Sequence, residues 1–347
     1  MGPGPLLGPE VTATTPHNAD AAALELGVGR TSLLRTFATN QISGPLAALI
    51  VAMVVFTLST STFFNSDNLS LIAQQSVVVG TLALGQTLII LTSGIDLANG
   101  AIMVLGSVVI GKIAVHGNPA LALLVGLVVC VAVGAVNGGL VSLLKLPPFI
   151  VTLGVMSVIA AAARLYTSSQ TYPVTSSLLT YLNNGPTVGG VTITYGVMLW
   201  IGLTAVLGYA LSQTSWGTRV YALGDNHKAA ELAGIKVKRL LLSVYVIAAV
   251  IYLFAAWQAL GRTPTADPSG YSTANLDSIT AVVIGGTSLF GGRGGVVGTF
   301  IGALIVTVLQ NGLTQAGIDS LYQQVATGVL VVIAVGVDQL VRRRQSR

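Results

Sequence analysis

The 347-residue chain is 53% hydrophobic and only 8% charged, with a mean hydropathy of +0.82. A soluble domain carries about 25% charged residues, so this composition excludes one and specifies a polytopic membrane protein. The net charge of +5 does not mark a nucleic-acid surface, because the Lys and Arg residues sit at the ends of apolar stretches, where membrane topology places them.

Residues 1–42 are rich in Gly, Pro, Ala and Thr and lack apolar periodicity, which predicts a flexible cytoplasmic tail. They do not read as a signal peptide, since no apolar stretch of about 7–15 residues follows a basic start. A membrane span needs about 20 mostly apolar residues. Ten segments qualify: 43–61, 70–92, 96–115, 119–144, 148–168, 191–212, 240–260, 275–291, 295–315 and 319–341. Only Thr92-Ser93-Gly94-Ile95 separates the second from the third, and only Gly291-Gly292-Arg293-Gly294 the eighth from the ninth. Either pair admits a broken or re-entrant helix, which is tolerated where protein or a water-filled cavity surrounds it. With the N-terminus inside, every Lys and Arg except Lys112, Arg164 and Arg262 falls on the inner side, a bias that sets an N-in, C-in orientation. Residues 342–347 then form a basic cytoplasmic tail. Gly134-x-x-x-Gly138 and Gly298-x-x-x-Gly302 have the spacing of close helix packing, most simply within the subunit, with a dimer interface as the alternative. Cys130 stands alone, so no intrachain disulfide forms and redox chemistry is not expected.

The polar run from Thr214 to Arg239 interrupts this pattern. Basic, acidic and small residues interleave there at helical spacing, which suits a short helix outside the bilayer and calls for something that docks on it. Signals of catalysis are lacking: His17, His116 and His227 are scattered, leaving no metal cluster or His-based dyad, and there is no Gly-x-x-x-x-Gly-Lys-Ser/Thr phosphate loop. No catalytic residue, cofactor site or metal site is therefore assigned, and any ATP-driven work needs another polypeptide.

Two carboxylates fall near spans. At mid-bilayer Asp96 would cost about 2.5–3.5 kcal/mol and would face a cavity or partner; as a helix cap at the inner interface it would cost little. Both readings stand. Asp277 reads as a cap, with Asn275 competing for that role. Gln74, Gln75, Gln86, Asn99, Asn137, Gln310 and Asn311 are polar residues within spans, each able to serve as an interhelical hydrogen bond or to meet sugar hydroxyls. From this set Gln86, Asp96, Asn99, Asn137 and Asn311 are the candidates for a translocation path.

Four blocks carry a more specific resemblance. They are Gly80-Thr81-Leu82-Ala83-Leu84-Gly85-Gln86-Thr87 with Gly94-Ile95-Asp96-Leu97; then Pro148-Phe149-Ile150-Val151-Thr152-Leu153-Gly154. The third has Gly224, Asn226, Ala229, Ala230 and Leu232-Ala233-Gly234-Ile235. The last has Leu276-Asp277-Ser278-Ile279, Val283-Ile284-Gly285-Gly286-Thr287-Ser288-Leu289 and Gly291-Gly292-Arg293-Gly294. In this order, over about residues 45–341, the chain resembles the permease subunit of bacterial ATP-binding-cassette importers of the ribose/xylose/galactose type. It departs at Ala98-Asn99, Ala163-Arg164-Leu165, Asp225 and Leu321-Tyr322.

The resemblance implies an all-α integral membrane protein of about ten helices in the bacterial inner membrane, working as a homodimer or with a homologous second subunit. Its domain would span residues 43–341, with a coupling loop at 214–239. It implies a cytoplasmic ATPase that binds ATP and Mg and docks on Gly224, Asn226, Ala229, Ala230, Leu232 and Gly234. An external sugar-binding protein would dock near residues 165–190 and 261–275. Asn226 suits an N-cap and Gly234 a left-handed helix end. The rival reading is an ion-coupled secondary sugar transporter built on Asp96 and Asp277.

Overall fold

A computed structural model describes residues 42–345, together with Met1, Gly2 and Gly4. The N-terminal tail expected at 1–42 lies almost wholly outside the described residues, as do residues 346–347 of the basic C-terminal tail. Each of the ten apolar segments holds one helix of at least 11 residues. In chain order these are α1 (Ser43–Ser59), α2 (Ser66–Leu91), α3 (Asn99–Ala114), α4 (Pro119–Ser142) and α5 (Pro148–Thr167). After a short helix α6 (Ser177–Thr180) come α7 (Tyr195–Gln213), α8 (Ser215–Asp225), α9 (His227–Leu232) and α10 (Val237–Arg262). The chain closes with α11 (Ala274–Ile284), α12 (Val296–Gln315) and α13 (Ser320–Gln345). Six of these are long and apolar enough to cross a membrane: α2, α4, α5, α7, α10 and α12. Helices α1, α3, α11 and the apolar part of α13 are shorter.

Three expectations change. The eighth segment, expected as 275–291, stays helical only to Ile284, because the chain turns at Gly286 (φ 85°) and continues as irregular backbone to Gly295. The polar loop forms two helices rather than one, split at Asn226, whose extended φ/ψ of −154°/106° cannot continue a helix. Asp277 does not cap α11; it sits in the first turn and accepts hydrogen bonds from Thr273 Oγ1 and from Gln310 Nε2 of α12, both 3.2 Å.

Helix α2 is the axis of the bundle, wrapped by α10, α12, α11 and α7 and buried along most of its length. Burying a helix on every side requires that neighbours find room, and small residues supply it. Gly85 accepts the ring of Tyr252 from α10, whose Cε1 would lie 2.5 Å from a Cβ at that position. Both Gly-x-x-x-Gly motifs are consumed inside the subunit. Gly134 and Gly138 lie against Tyr245 and its neighbours on α10, and Gly298 and Gly302 against the backbone of Gly285 and Ala281 on α11.

On the opposite end of the bundle from α8 and α9, β1 (Tyr172–Pro173) pairs antiparallel with β4 (Thr265–Ala266), placing Tyr172 opposite Ala266. A hairpin of β2 (Thr187–Val188) and β3 (Val191–Thr192) lies between them in sequence.

The contact between α11 and α12 sets a test. A methyl group at Gly302 runs into the Ala281 carbonyl, so Gly302→Ala should destabilise the protein by about 1–3 kcal/mol through overpacking. Gly202 of α7 has nothing within 4 Å of its missing Cβ, and Gly202→Ala should leave stability unchanged or slightly higher. Thermal unfolding in detergent micelles separates the two.

Candidate functional site

Beyond Leu91 the chain turns back into the protein. Gly94 N–H bonds the Ile89 carbonyl (3.0 Å), and residues 92–98 run as irregular backbone alongside the last turns of α2 until α3 starts at the buried Asn99. Asn99 lies level with Gln86, five residues before the end of α2, so the chain has re-entered by about 8 Å. Irregular backbone in such a place must have its N–H and C=O groups satisfied by protein, and named side chains do this.

The Gln86 amide faces the Asp96 main chain. Oriented by this network, its nitrogen donates to the Asp96 carbonyl (3.0 Å) and its oxygen accepts from the Asp96 N–H (3.2 Å). Thr152 of α5 accepts from Leu97 N–H (3.1 Å) and its hydroxyl lies 3.0 Å from the Ile95 carbonyl. The Asp96 carboxyl accepts from Ala98 N–H (2.8 Å) and from the Tyr252 hydroxyl (3.1 Å), and the residue is only 1% exposed. Asn99 Nδ2 donates to Ser278 Oγ of α11 (2.7 Å), and Gly100 packs on the Asn275 backbone. The N-terminal ends of α3 and α11 thus abut. Asp96 and Asp277 stand at those two positive helix ends, where a carboxyl is favoured.

The polar loop fastens to the same segment. Ser93, in the left-handed region at φ 62°, directs its hydroxyl to the carbonyls of Gly224 and Phe290, each 2.9 Å away. Gly292 N–H donates to the Leu91 carbonyl (3.1 Å). A side chain at Gly224 would collide with Leu91 O, so the end of α8 closes directly on the end of α2.

Within α9, Asn226 Oδ1 accepts from Ala229 N–H (3.0 Å), and the helix ends at Gly234 (φ 82°) with Ile235 N–H returning to the Ala230 carbonyl. Ala230 is buried (4% exposed) against the subunit's own core, whereas Leu232 is 89% exposed. Ala229 and Gly234 are exposed as well.

Of the five candidate path residues, Gln86, Asp96 and Asn99 come together at the break, while Asn137 lies on α4 and Asn311 on α12, all of them buried. Sequence reasoning did not single out Ser93, Thr152, Tyr252 or Ser278. Thr152 and Ser278 lie within the quoted blocks. For Tyr252 the available signal was a phenol in an apolar helix, whose hydroxyl needs a partner when buried.

Residues 68–335 match the family described as the permease component of the branched-chain amino acid transport system. The chain belongs to this family of membrane permeases. It is 42% identical over 307 residues to the fructose import permease protein FrcC of Rhizobium meliloti, a match covering 86% of this chain and 85% of that protein. Against the ribose import permease protein RbsC of Bacillus subtilis strain 168 the identity is 36% over 305 residues, covering 85% and 92%. Against RbsC of Escherichia coli strain K12 it is 35% over 310 residues, covering 84% and 92%. No solved structure matches the chain. The permease is a multi-pass protein of the bacterial inner membrane.

In this permease Asp96→Ala leaves the Ala98 amide and the Tyr252 hydroxyl unpaired in a buried setting. It should cost about 2–3 kcal/mol of stability, and in a double-mutant cycle with Tyr252→Phe the two losses should fall short of additivity by at least about 0.5 kcal/mol. Chemical unfolding of the purified variants measures both. An Asp96→Ala protein with full stability and abolished uptake would instead make Asp96 a path residue.

Proposed function

We propose that this permease is the membrane subunit of an ATP-driven importer of a monosaccharide or related polyol, and that ATP and Mg bind a separate cytoplasmic ATPase rather than this chain. The relatives named for fructose and ribose import support the substrate class, since each match spans more than four-fifths of both proteins. Ten crossings with both termini in the cytoplasm fit the helices. Lys112, Arg164 and Arg262 lie in the last turns of α3, α5 and α10, at the end that carries the β1–β4 pair, and the basic α8–α10 region lies at the other. In this reading residues 1–42 and 342–347 are cytoplasmic tails of a 43–341 domain. Two permease subunits, identical or homologous, form the path, and a sugar-binding protein delivers the substrate to the outer loops.

The observation that carries the coupling role is Leu232. An aliphatic side chain 89% exposed at the end of a short, capped helix in the most polar part of the chain is what a docking anchor requires. Ala230, buried in the permease itself, fastens the helix to the bundle, and Gly224 closes its base on α2. Asn226, Ala229 and Gly234 shape the docking helix.

Gln86, Asp96 and Asn99 are assigned to support of the broken segment, because their polar groups are engaged within the subunit. Asn137 and Asn311 are the path candidates with hydrogen-bonding capacity left, as amide atoms of both are buried without a partner. The engagement of Asp96 by Ala98 and Tyr252, and of Asp277 by Thr273 and Gln310, also weighs against an ion-coupled transporter.

Leu232→Asp should leave the permease folded while weakening ATPase retention during copurification by about thirtyfold, the effect of losing an anchor worth about 2 kcal/mol. Sugar uptake in cells with collapsed ion gradients and intact ATP should fall with it. Wild-type retention of the ATPase by Leu232→Asp would move the docking site elsewhere. Uptake by the wild type that stops when the gradients collapse would favour the ion-coupled rival.

A further inference from the structure

The docking reading leaves unused an inner-face cavity that borders α9. It has a volume of about 370 Å³ and lies between α9, the turn joining α4 to α5, the first turns of α10 and the Thr92–Gly94 turn. Three lysines line it, Lys145, Lys228 and Lys238, against the single carboxylate of Glu231. Ser142 and Tyr245 back it, 3% and 2% exposed, with their hydroxyls closed off from its space. The ammonium groups call for an occupant that is negatively charged and accepts hydrogen bonds, and phosphate oxygens meet both demands.

The surroundings narrow the source. Lys145 stands in a left-handed turn (φ 55°) with exposed Leu143 and Leu144 before it and exposed Phe149 and Ile150 after it. Apolar side chains flanking a cationic turn belong at the boundary between hydrocarbon and headgroups, and basic pockets between helices on the cytoplasmic side accept phospholipid headgroups. Because the cavity also opens beside α9, a soluble phosphate ester can reach it.

We infer that this cavity binds a phosphate-bearing ligand, either the headgroup of an anionic inner-leaflet phospholipid or a soluble phosphate ester of the cytosol. Its occupant ties α9 to the α4–α5 turn and so sets how freely the docking helix moves. The cytoplasmic source rests on the orientation proposed above; the recognition of phosphate does not.

The test uses the purified full-length permease without its partners, so it is independent of uptake and of ATPase docking. Inorganic phosphate and glycerol 3-phosphate are titrated in neutral detergent. In parallel, nanodiscs of phosphatidylcholine are compared with nanodiscs containing phosphatidylglycerol. Thermal stabilisation and native mass spectrometry report binding. Lys145, Lys228 and Lys238 are all exposed, so the triple variant Lys145→Gln/Lys228→Gln/Lys238→Gln should fold. It should bind phosphate at least about tenfold more weakly, whereas Arg219→Gln/Arg239→Gln, outside the cavity, should bind as wild type. Stabilisation by soluble phosphates in detergent assigns a cytosolic ester; stabilisation confined to phosphatidylglycerol discs assigns the lipid. The inference is overturned if neither medium shows binding, if the triple variant binds normally, or if the Arg variant loses as much.

Discussion

Breaking a helix inside a membrane protein frees backbone groups that lipid cannot satisfy, and the rest of this structure is arranged around one such break. After α2 the chain re-enters as seven non-helical residues, Thr92–Ala98, before α3 begins. Gln86 meets the main chain of Asp96, Thr152 that of Ile95 and Leu97, and the Asp96 carboxyl the amide of Ala98. Each of these groups comes from a different helix or turn, so the break can persist only if α2, α5 and α10 are held in fixed relation. Gly85 is part of the same requirement, since with a side chain there the Tyr252 ring could not reach past α2 to Asp96.

The start of the break is also where the polar loop is attached, which would give the proposed coupling a physical route. Gly224 and Leu91 O are in contact without room for a methyl group, and Ser93 and Gly292 bond across the same junction. A displacement applied at α9 therefore cannot be absorbed at the base of the loop. It must move the end of α2 and, through the Gly292–Leu91 bond, the segment that leads into α12. The tight α11–α12 contact carries it on, because interfaces of directly touching backbone slide or separate but do not compress.

Much of the architecture was legible from hydropathy. The ten apolar segments each contain a helix, because length and composition decide which stretches can lie in lipid. The caps of α9 were legible too, since Asn226 and Gly234 are residue types with a local reason to stand at helix ends. Long-range convergence was not. Gln86, Thr152, Gly224 and Ser278 lie in four separate blocks of the sequence, and nothing in their local spacing says that they meet. Asp96 shows the limit most clearly, because cavity lining and capping demand the same residue at the same place. Its partners in the fold, Ala98 and Tyr252, support the role in holding the break proposed above. Ala230 poses the same ambiguity: a small residue suits docking on a partner and docking on the permease's own core equally well, and its 4% exposure supports the second.

The end of the bundle that carries the β1–β4 pair bears on the same centre from the opposite side. Pairing of β1 with β4 joins the loop that follows α5 to the one that follows α10, so the two regions proposed to receive a sugar-binding protein are one structural unit. Ala266 of that pair packs on Gly111 near the C-terminal end of α3, and Lys112 beside it reaches the Tyr166 carbonyl and ring. From β4 the chain descends to the start of α11, which abuts the start of α3 at Asn275 and Gly100. An outer partner would therefore act on α3 from one end and on α11 directly, while an inner partner acts on the turn that precedes α3. Two half-length helices meeting N-terminus to N-terminus let both faces address one junction, which a pair of unbroken spans, satisfied from end to end by their own hydrogen bonds, would not.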